Sequence, residues 1–71
     1  MDGIMRSKFI IPGHVYAGSS GIHKKVLRKM ASGSIIEYQI VRKTGRGRGK
    51  LGNIYMCDKQ TFCTWAKDVV K

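Results

Sequence analysis

The sequence has few of the residues that stabilise very small secreted domains. It contains two cysteines and one proline among 71 residues. Two cysteines are too few for the framework of a disulfide-rich fold, so we expect both to be reduced. No apolar run approaches the about 18 residues of a membrane span, and no export signal is visible. We therefore expect a soluble, cytoplasmic protein with no membrane partner.

Acidic residues are scarce as well. Four Asp and Glu stand against 14 Lys and Arg, which gives a formal net charge of +10 and a pI near 10.2. Such an excess costs self-repulsion that an anionic partner relieves, so DNA or RNA, held through phosphate contacts, is the first partner to expect. The four carboxylates form no obvious acid–base pair, and we predict no catalytic residues and no enzyme activity.

The length allows one small domain. A chain of 71 residues buries only about 60% of the surface that its unfolded state exposes, which leaves room for a single thin core. Residues 1–12 show no periodicity and end at the lone proline, so we predict a weakly ordered tail. Residues 13–71 then form a single small basic domain.

Apolar alternation predicts several strands. Short apolar segments at Val15–Ala17 and 52–57 are each consistent with a strand, and 34–43 is the clearest one, with alternate residues on opposite faces. The segment 22–30 fits either a strand or a basic amphipathic helix. We favour the strand, paired with 34–43 in a hairpin, because a nine-residue helix flanked by glycines would be marginal. On one face it would present Ile22, Val26 and Met30.

The C-terminal segment has a helical pattern. Apolar residues at i, i+3, i+4, i+7 and i+8 predict a helix from Lys59 to about Val70, with Asp58 as its N-cap. Phe62 and Trp65 lie on the apolar stripe, and we interpret them as core anchors rather than a base-stacking platform. The fold class is therefore mainly β with a C-terminal helix (α+β), a small antiparallel sheet or SH3-like barrel closed by that helix.

Positive charge is concentrated in one part of the chain. Nine of the 14 basic residues lie between positions 24 and 50, and they form the predicted nucleic-acid-binding set: Lys24, Lys25, Arg28, Lys29, Arg42, Lys43, Arg46, Arg48 and Lys50. The glycine- and arginine-rich segment 44–52 has no face to bury and is predicted to be a mobile loop. Arginine grips phosphate through its planar fork, and glycine lets the backbone approach closely. Alternatively, the loop is a solvated tip whose charge only aids solubility.

Two tyrosines add to the hypothesis of nucleic-acid binding. Tyr38 or Tyr55 would stack a base if its ring faced outward. A role in the core is the stronger expectation for Tyr38, since it shares a strand face with Ile36 and Ile40.

Metal binding is weakly indicated. Two cysteines and two histidines give the ligand count of a zinc site: Cys57, Cys63, His14 and His23. The two cysteines lie too far apart for a zinc knuckle, and we predict reduced, partly buried thiols with no metal and no cofactor. A structural zinc domain stays a minor alternative. A catalytic dyad of Cys63 with a histidine would need a partner from far upstream.

Short motifs along the chain resemble a known group of proteins. They are Pro12-Gly13-His14-Val15-Tyr16, Lys25-Val26-Leu27, Ile36-Glu37-Tyr38 and Phe62-Cys63-Thr64-Trp65-Ala66. This order is similar to small uncharacterised proteins of bacteriophages and prophages, which have a Pro-Gly-x-x-Tyr opening and a Phe-x-x-Trp-Ala close. The resemblance covers most of the chain and implies a compact SH3-like, mostly β domain in a phage or mobile-element setting, in the host bacterial cytoplasm. It carries no catalytic residues. The long predicted helix departs from an SH3-like barrel, which ends on a strand after a short helical turn.

Two functions follow from these observations. The first is a small basic nucleic-acid-binding module, a phage or mobile-element accessory protein. The alternative is a phage interaction or inhibitor protein that binds an acidic host protein of defence or transcription, since phosphate and carboxylate call for the same cations.

Overall fold

The described residues form a five-stranded antiparallel sheet with one short helix. The computed structural model describes residues 10–18, 21–44 and 49–70. In chain order the elements are β1 (Val15–Ala17), β2 (Ile22–Met30), β3 (Ile35–Lys43), β4 (Ile54–Asp58), α1 (Lys59–Trp65) and β5 (Asp68–Val69). The strands lie in the order β4-β3-β2-β1-β5 in one open sheet. The predicted mainly β fold is confirmed. No helix in the described ranges has the length and apolarity to cross a membrane.

The long hairpin of β2 and β3 dominates the sheet. The two nine-residue strands pair antiparallel from Ile22 opposite Lys43 to Met30 opposite Ile35. A 3-10 turn over Ala31–Gly33 joins them, and all three of its residues have positive φ, at 52°, 59° and 91°. Of the two interpretations of 22–30, the strand is confirmed and the helix is wrong.

Two irregularities in the register set the faces of β2. The pairing shifts between His23 and Lys24 and again between Val26 and Arg28. After the second shift Lys29 lies opposite Ile36, and Met30 lies opposite Ile35. The prediction that Met30 shares a face with Val26 is therefore wrong, because a bulge moves every later side chain to the other face.

The core lies between the sheet and α1. It is a cluster of seven buried residues: Ile10, Tyr16, Val26, Ile36, Phe62, Cys63 and Ala66. Ile10 is fully buried, and the Ile11 amide donates a 2.8 Å hydrogen bond to the Tyr16 hydroxyl. Ile10 thus packs in the core although it lies inside the segment 1–12 that was predicted to be a weakly ordered tail, because it supplies apolar area that the thin core needs. Residues 1–9 lie outside the described residues.

The helix is shorter than predicted. Asp58 is its N-cap, as expected, and the carboxylate accepts a 2.9 Å hydrogen bond from the Thr61 amide. The backbone leaves the helical region at Ala66, where φ is −74° and ψ is 131°. The extension of the helix to Val70 is wrong, since Asp68–Val69 forms β5 and pairs with β1. This pairing satisfies backbone groups at the edge of β1 that a longer helix would leave unpaired.

Candidate nucleic-acid interface

Five of the predicted binding residues meet at one end of the hairpin. We call this surface the basic end; it comprises Lys24, Lys25, Arg42, Lys43 and Lys50. His23 lies opposite Arg42, and the neighbouring pairs place Lys24 opposite Ile40 and Lys25 opposite Gln39. Since strand residues rise about 3.3 Å and strands lie about 4.8 Å apart, these cations are near neighbours.

Residues 49–53 bring the fifth cation to this surface. The Gly52 amide donates to the Ile40 carbonyl at 2.7 Å, and the Gln39 side chain donates to the Gly52 carbonyl at 2.9 Å. The Lys43 ammonium donates to the Gly49 carbonyl at 2.8 Å. This segment therefore folds back onto β3, with Lys50 exposed beside the hairpin.

In the described residues, no ion pair joins an acidic side chain to a cation of the basic end. Glu37 is the only acidic residue between positions 22 and 57, and its carboxylate is paired with Arg28. Across the sheet, Asp68 is opposite Ala17, which is opposite His23, so two strands separate Asp68 from Arg42. The described carboxylates therefore leave the positive charge at this end without a contact ion pair.

The remaining predicted binding residues lie elsewhere. At the other end of the hairpin the Arg28 Nε donates to the Glu37 Oε1 at 3.0 Å. Lys29 is exposed near the same end, opposite Ile36. The structure does not bring this pair to the basic end. Arg46 and Arg48, with most of the predicted loop, lie outside the described residues.

Lys24 and Lys25 lie on opposite faces of the sheet. Lys25 is exposed. The Lys24 ammonium lies 4.2 Å from the ring centre of Trp65 and 4.5 Å from that of Tyr38. Burial lowers the pKa of Lys24, and the two ring faces compensate part of the hydration that the ammonium loses. Sequence reasoning gave both lysines the same role, because nothing in the sequence shows that Lys24 faces the rings.

A small cleft opens beside Lys24. Its volume is about 180 Å³, and it is lined by Lys24, Tyr38, Ile40, Gly49 and Tyr55. The tyrosine ring centres are 5.9 Å apart with planes inclined at 33°. The Lys50 amide donates a 3.0 Å hydrogen bond to the Tyr55 hydroxyl, which is the main cause of that phenol's lowered pKa. For Tyr38, burial raises the pKa. Both tyrosines were singled out from the sequence, whereas the cleft between them was not.

The aromatic pair on α1 divides between two environments. Phe62 is fully buried and confirms its predicted role in the core. Trp65 is partly buried and packs against the edge of the core, 5.4 Å from Phe62 between ring centres. A Cβ on Gly18 would lie 2.3 Å from Trp65 Cε2, so the indole packs directly on the backbone after β1.

The candidate metal ligands are dispersed. Cys57 is half-buried on β4, Cys63 is buried in α1, and both are free thiols. Burial raises the pKa of both thiols, which lowers their reactivity. His14 stacks near Tyr16, and His23 lies opposite Arg42. The described part of the chain contains no group of three or more His, Cys, Asp or Glu side chains placed to hold a metal.

Comparison with protein-family models, with curated proteins and with solved structures gives no match.

Proposed function

We propose that the protein is a small nucleic-acid-binding module that contacts DNA or RNA phosphates through its basic end. The observation that carries this proposal is the placement of five cations from β2, β3 and the segment after them at one end of the hairpin, where none of them forms an ion pair with a described carboxylate. Each cation that neutralises a phosphate releases a bound counterion, which drives association in low salt. The role is binding, and we assign no catalytic step.

We also propose that the sheet belongs to an SH3-like barrel. A short helix followed by a terminal strand beside β1 is the ending expected of that fold, and α1 and β5 have this arrangement. The support for an origin in a phage or mobile element, and for a role in the host bacterial cytoplasm, is the resemblance in the short motifs.

A second candidate function is supported by the outer face of the sheet. Ile54 and Met56 are 55% and 63% exposed. Ile54 lies opposite Gln39, which in turn lies opposite Lys25, so an apolar side chain shares a row with a cation. Exposed apolar residues beside charge are typical of protein interfaces. An acidic host protein is therefore the alternative partner.

The experiment compares the two ends of the hairpin at equal net charge. One variant removes two cations from the basic end (Lys25→Ala with Arg42→Ala), and its matched control removes two from the other end (Arg28→Ala with Lys29→Ala). Binding to a labelled duplex and to a single strand is measured by fluorescence anisotropy over a range of salt concentrations.

We expect the basic-end variant to bind at least tenfold more weakly than the wild type. The slope of log affinity against log salt should also become shallower by about 1.4 to 1.8 units. The control should change affinity by less than about threefold. Equal losses in both variants would show that net charge alone governs binding. A wild type that binds no nucleic acid but retains an acidic protein would favour the alternative.

A further inference from the structure

We propose that the cleft between Tyr38 and Tyr55 is a subsite for one unstacked nucleobase, and that single-stranded nucleic acid is therefore the preferred ligand. This inference rests on the proposed function and names the ligand class of the same surface. The cleft adjoins the basic end, since Lys24 belongs to both.

The walls of the cleft fit a planar ring. Two tyrosine rings and the Ile40 side chain supply apolar surface, and Lys24 supplies a cation. The volume of about 180 Å³ is below the about 300–1,000 Å³ of sites that hold drug-sized ligands. One base fits such a cleft better than a whole nucleotide or a peptide segment.

At Gly49 the absence of a Cβ lets the backbone lie close to Ile40 and Tyr55. A Cβ at Gly49 would lie 2.5 Å from the Ile40 Cδ1 and 3.5 Å from the Tyr55 Cε2. The residue also has a φ of +93°, which glycine adopts at little cost. The backbone at Gly49 therefore forms one wall of the cleft directly, and both the close contact and the positive φ favour glycine at this position.

Charge is arranged around the cleft for a phosphate chain. The Lys24 ammonium is held against the rings of Tyr38 and Trp65. Lys43 reaches the Gly49 carbonyl, and Lys50 begins the exposed turn whose amide contacts the Tyr55 hydroxyl. A strand that places a base in the cleft, against the tyrosine rings that line it, would have its flanking phosphates near these three cations.

A site for an unstacked base favours single strands over duplexes. Bases in a duplex are already stacked and paired, and extracting one costs free energy that a single strand does not pay. Stacking on aromatic rings is tolerant of sequence because every base has a π-face. We expect preference for single strands without strong preference among bases.

The first test changes only the ligand. Wild-type protein is titrated by fluorescence anisotropy with three probes of equal length: oligo-dT, an abasic strand with the same number of phosphates, and a duplex. We expect oligo-dT to bind about tenfold more tightly than the abasic strand. Equal affinities for these two would overturn the base subsite and leave the phosphate-binding function intact. No binding to any probe would overturn both proposals.

The second test changes the cleft. Tyr55→Leu removes the ring, while Tyr55→Phe keeps the ring and loses the hydroxyl that accepts from the Lys50 amide. We expect Tyr55→Leu to lose about tenfold in affinity for oligo-dT with little change for the duplex, and Tyr55→Phe to stay within about threefold of wild type. Equal losses for both probes in folded Tyr55→Leu, checked by circular dichroism, would contradict the proposal.

The third test uses the neighbouring lysines as a matched pair. Lys24→Met and Lys25→Met remove the same charge from opposite faces of β2. Lys24→Met should weaken oligo-dT binding more than duplex binding, and Lys25→Met should weaken both to a similar extent. The reverse pattern would place the single strand on the outer face and overturn the assignment of the cleft.

Discussion

The two ends of the β2–β3 hairpin are built from the same strands but differ in chemistry. At the turn end, Ile35 lies opposite Asp58 and the Lys59 amide donates to the Ser34 carbonyl at 2.9 Å, so the start of α1 is attached to the hairpin. At the basic end, no described acidic side chain forms an ion pair with a cation. The difference shows that the placement of the described carboxylates, as well as the density of lysine and arginine, decides which end presents positive charge without an ion-pair partner.

The same comparison separates stability from binding. The turn end contains the helix cap and the Arg28–Glu37 ion pair. The basic end contains Lys24, whose half-buried ammonium lies over the rings of Tyr38 and Trp65. The ammonium loses part of its hydration there, and the contacts with the rings offset only part of that loss. We therefore expect substitutions at the turn end to alter folding and those at the basic end to alter affinity.

The largest expected effect is a loss of stability on substitution of Phe62, which packs in the core beneath the hairpin. The Phe62 ring lies 5.7 Å from Tyr16, 5.7 Å from Tyr38 and 5.4 Å from Trp65 between centres. Phe62→Ala should cost about 3 to 5 kcal/mol, enough to unfold so small a domain. Chemical denaturation followed by circular dichroism measures it. Trp65→Ala should cost less because that indole is only partly buried, and the opposite ranking would contradict the core as described.

An intermediate effect is expected at the turn end alone. Asp58→Ala removes the acceptor for the Thr61 amide and should lower Tm by a few degrees, while Asp58→Asn retains an acceptor and should lower it less. Nucleic-acid affinity should stay the same in both variants. A loss of affinity at unchanged Tm would show that the turn end also contributes to binding, and would contradict the separation of stability from binding.

The cap also gives this end a pH dependence. Hydrogen bonds from Thr61 lower the pKa of Asp58 from its usual 3.8. The folded state therefore favours the carboxylate, and its contribution is present above pH 3.8 and lost as the pH falls through the lowered value. Thermal unfolding between about pH 5 and 2 should show a smaller pH dependence in Asp58→Asn than in wild type.

The smallest expected effect comes from removing the carboxylate of Glu37 from the turn end. Glu37→Gln removes the carboxylate that pairs with Arg28 and so raises the net charge of the turn end by one. Since Arg28 is 65% exposed, loss of this surface pair should change the free energy of unfolding by less than about 1 kcal/mol. Duplex affinity in low salt should change by less than about threefold, as for the other variants at the turn end. A larger rise would show that the turn end takes part in binding.

Much of the sheet could be predicted from the sequence. The alternation of Ile36, Tyr38 and Ile40 identifies β3, because period two is a local property of the strand. Asp58 is likewise identified by its place before a helical pattern. The extent of α1 could not be predicted, since Val69 fits a helical stripe and a two-residue strand equally well. Its state depends on the free edge of β1, which is distant in sequence.

The candidate site could be predicted only in part, because its geometry also depends on contacts between residues that are distant in sequence. Charge counts locate the basic hairpin, but they do not assign each cation to an end or a face. Two register irregularities, one with its extra residue in β3 and one with its extra residue in β2, decide which cations share a face, and nothing in the composition of the strands marks them. The cleft depends on Gly49 packing against Ile40, a contact between a loop and a strand that neither segment predicts alone.

The pairing of β5 with β1 has a consequence for the order of folding. Every other strand pair joins consecutive elements, whereas Tyr16 pairs with Val69, more than 50 residues further along the chain. Closing so long a segment costs more entropy than forming the hairpins, and β5 contributes only two residues in return. We therefore expect the meander from β1 to β4 to assemble first, and the C-terminal strand to be the last to join the sheet and the first to leave it.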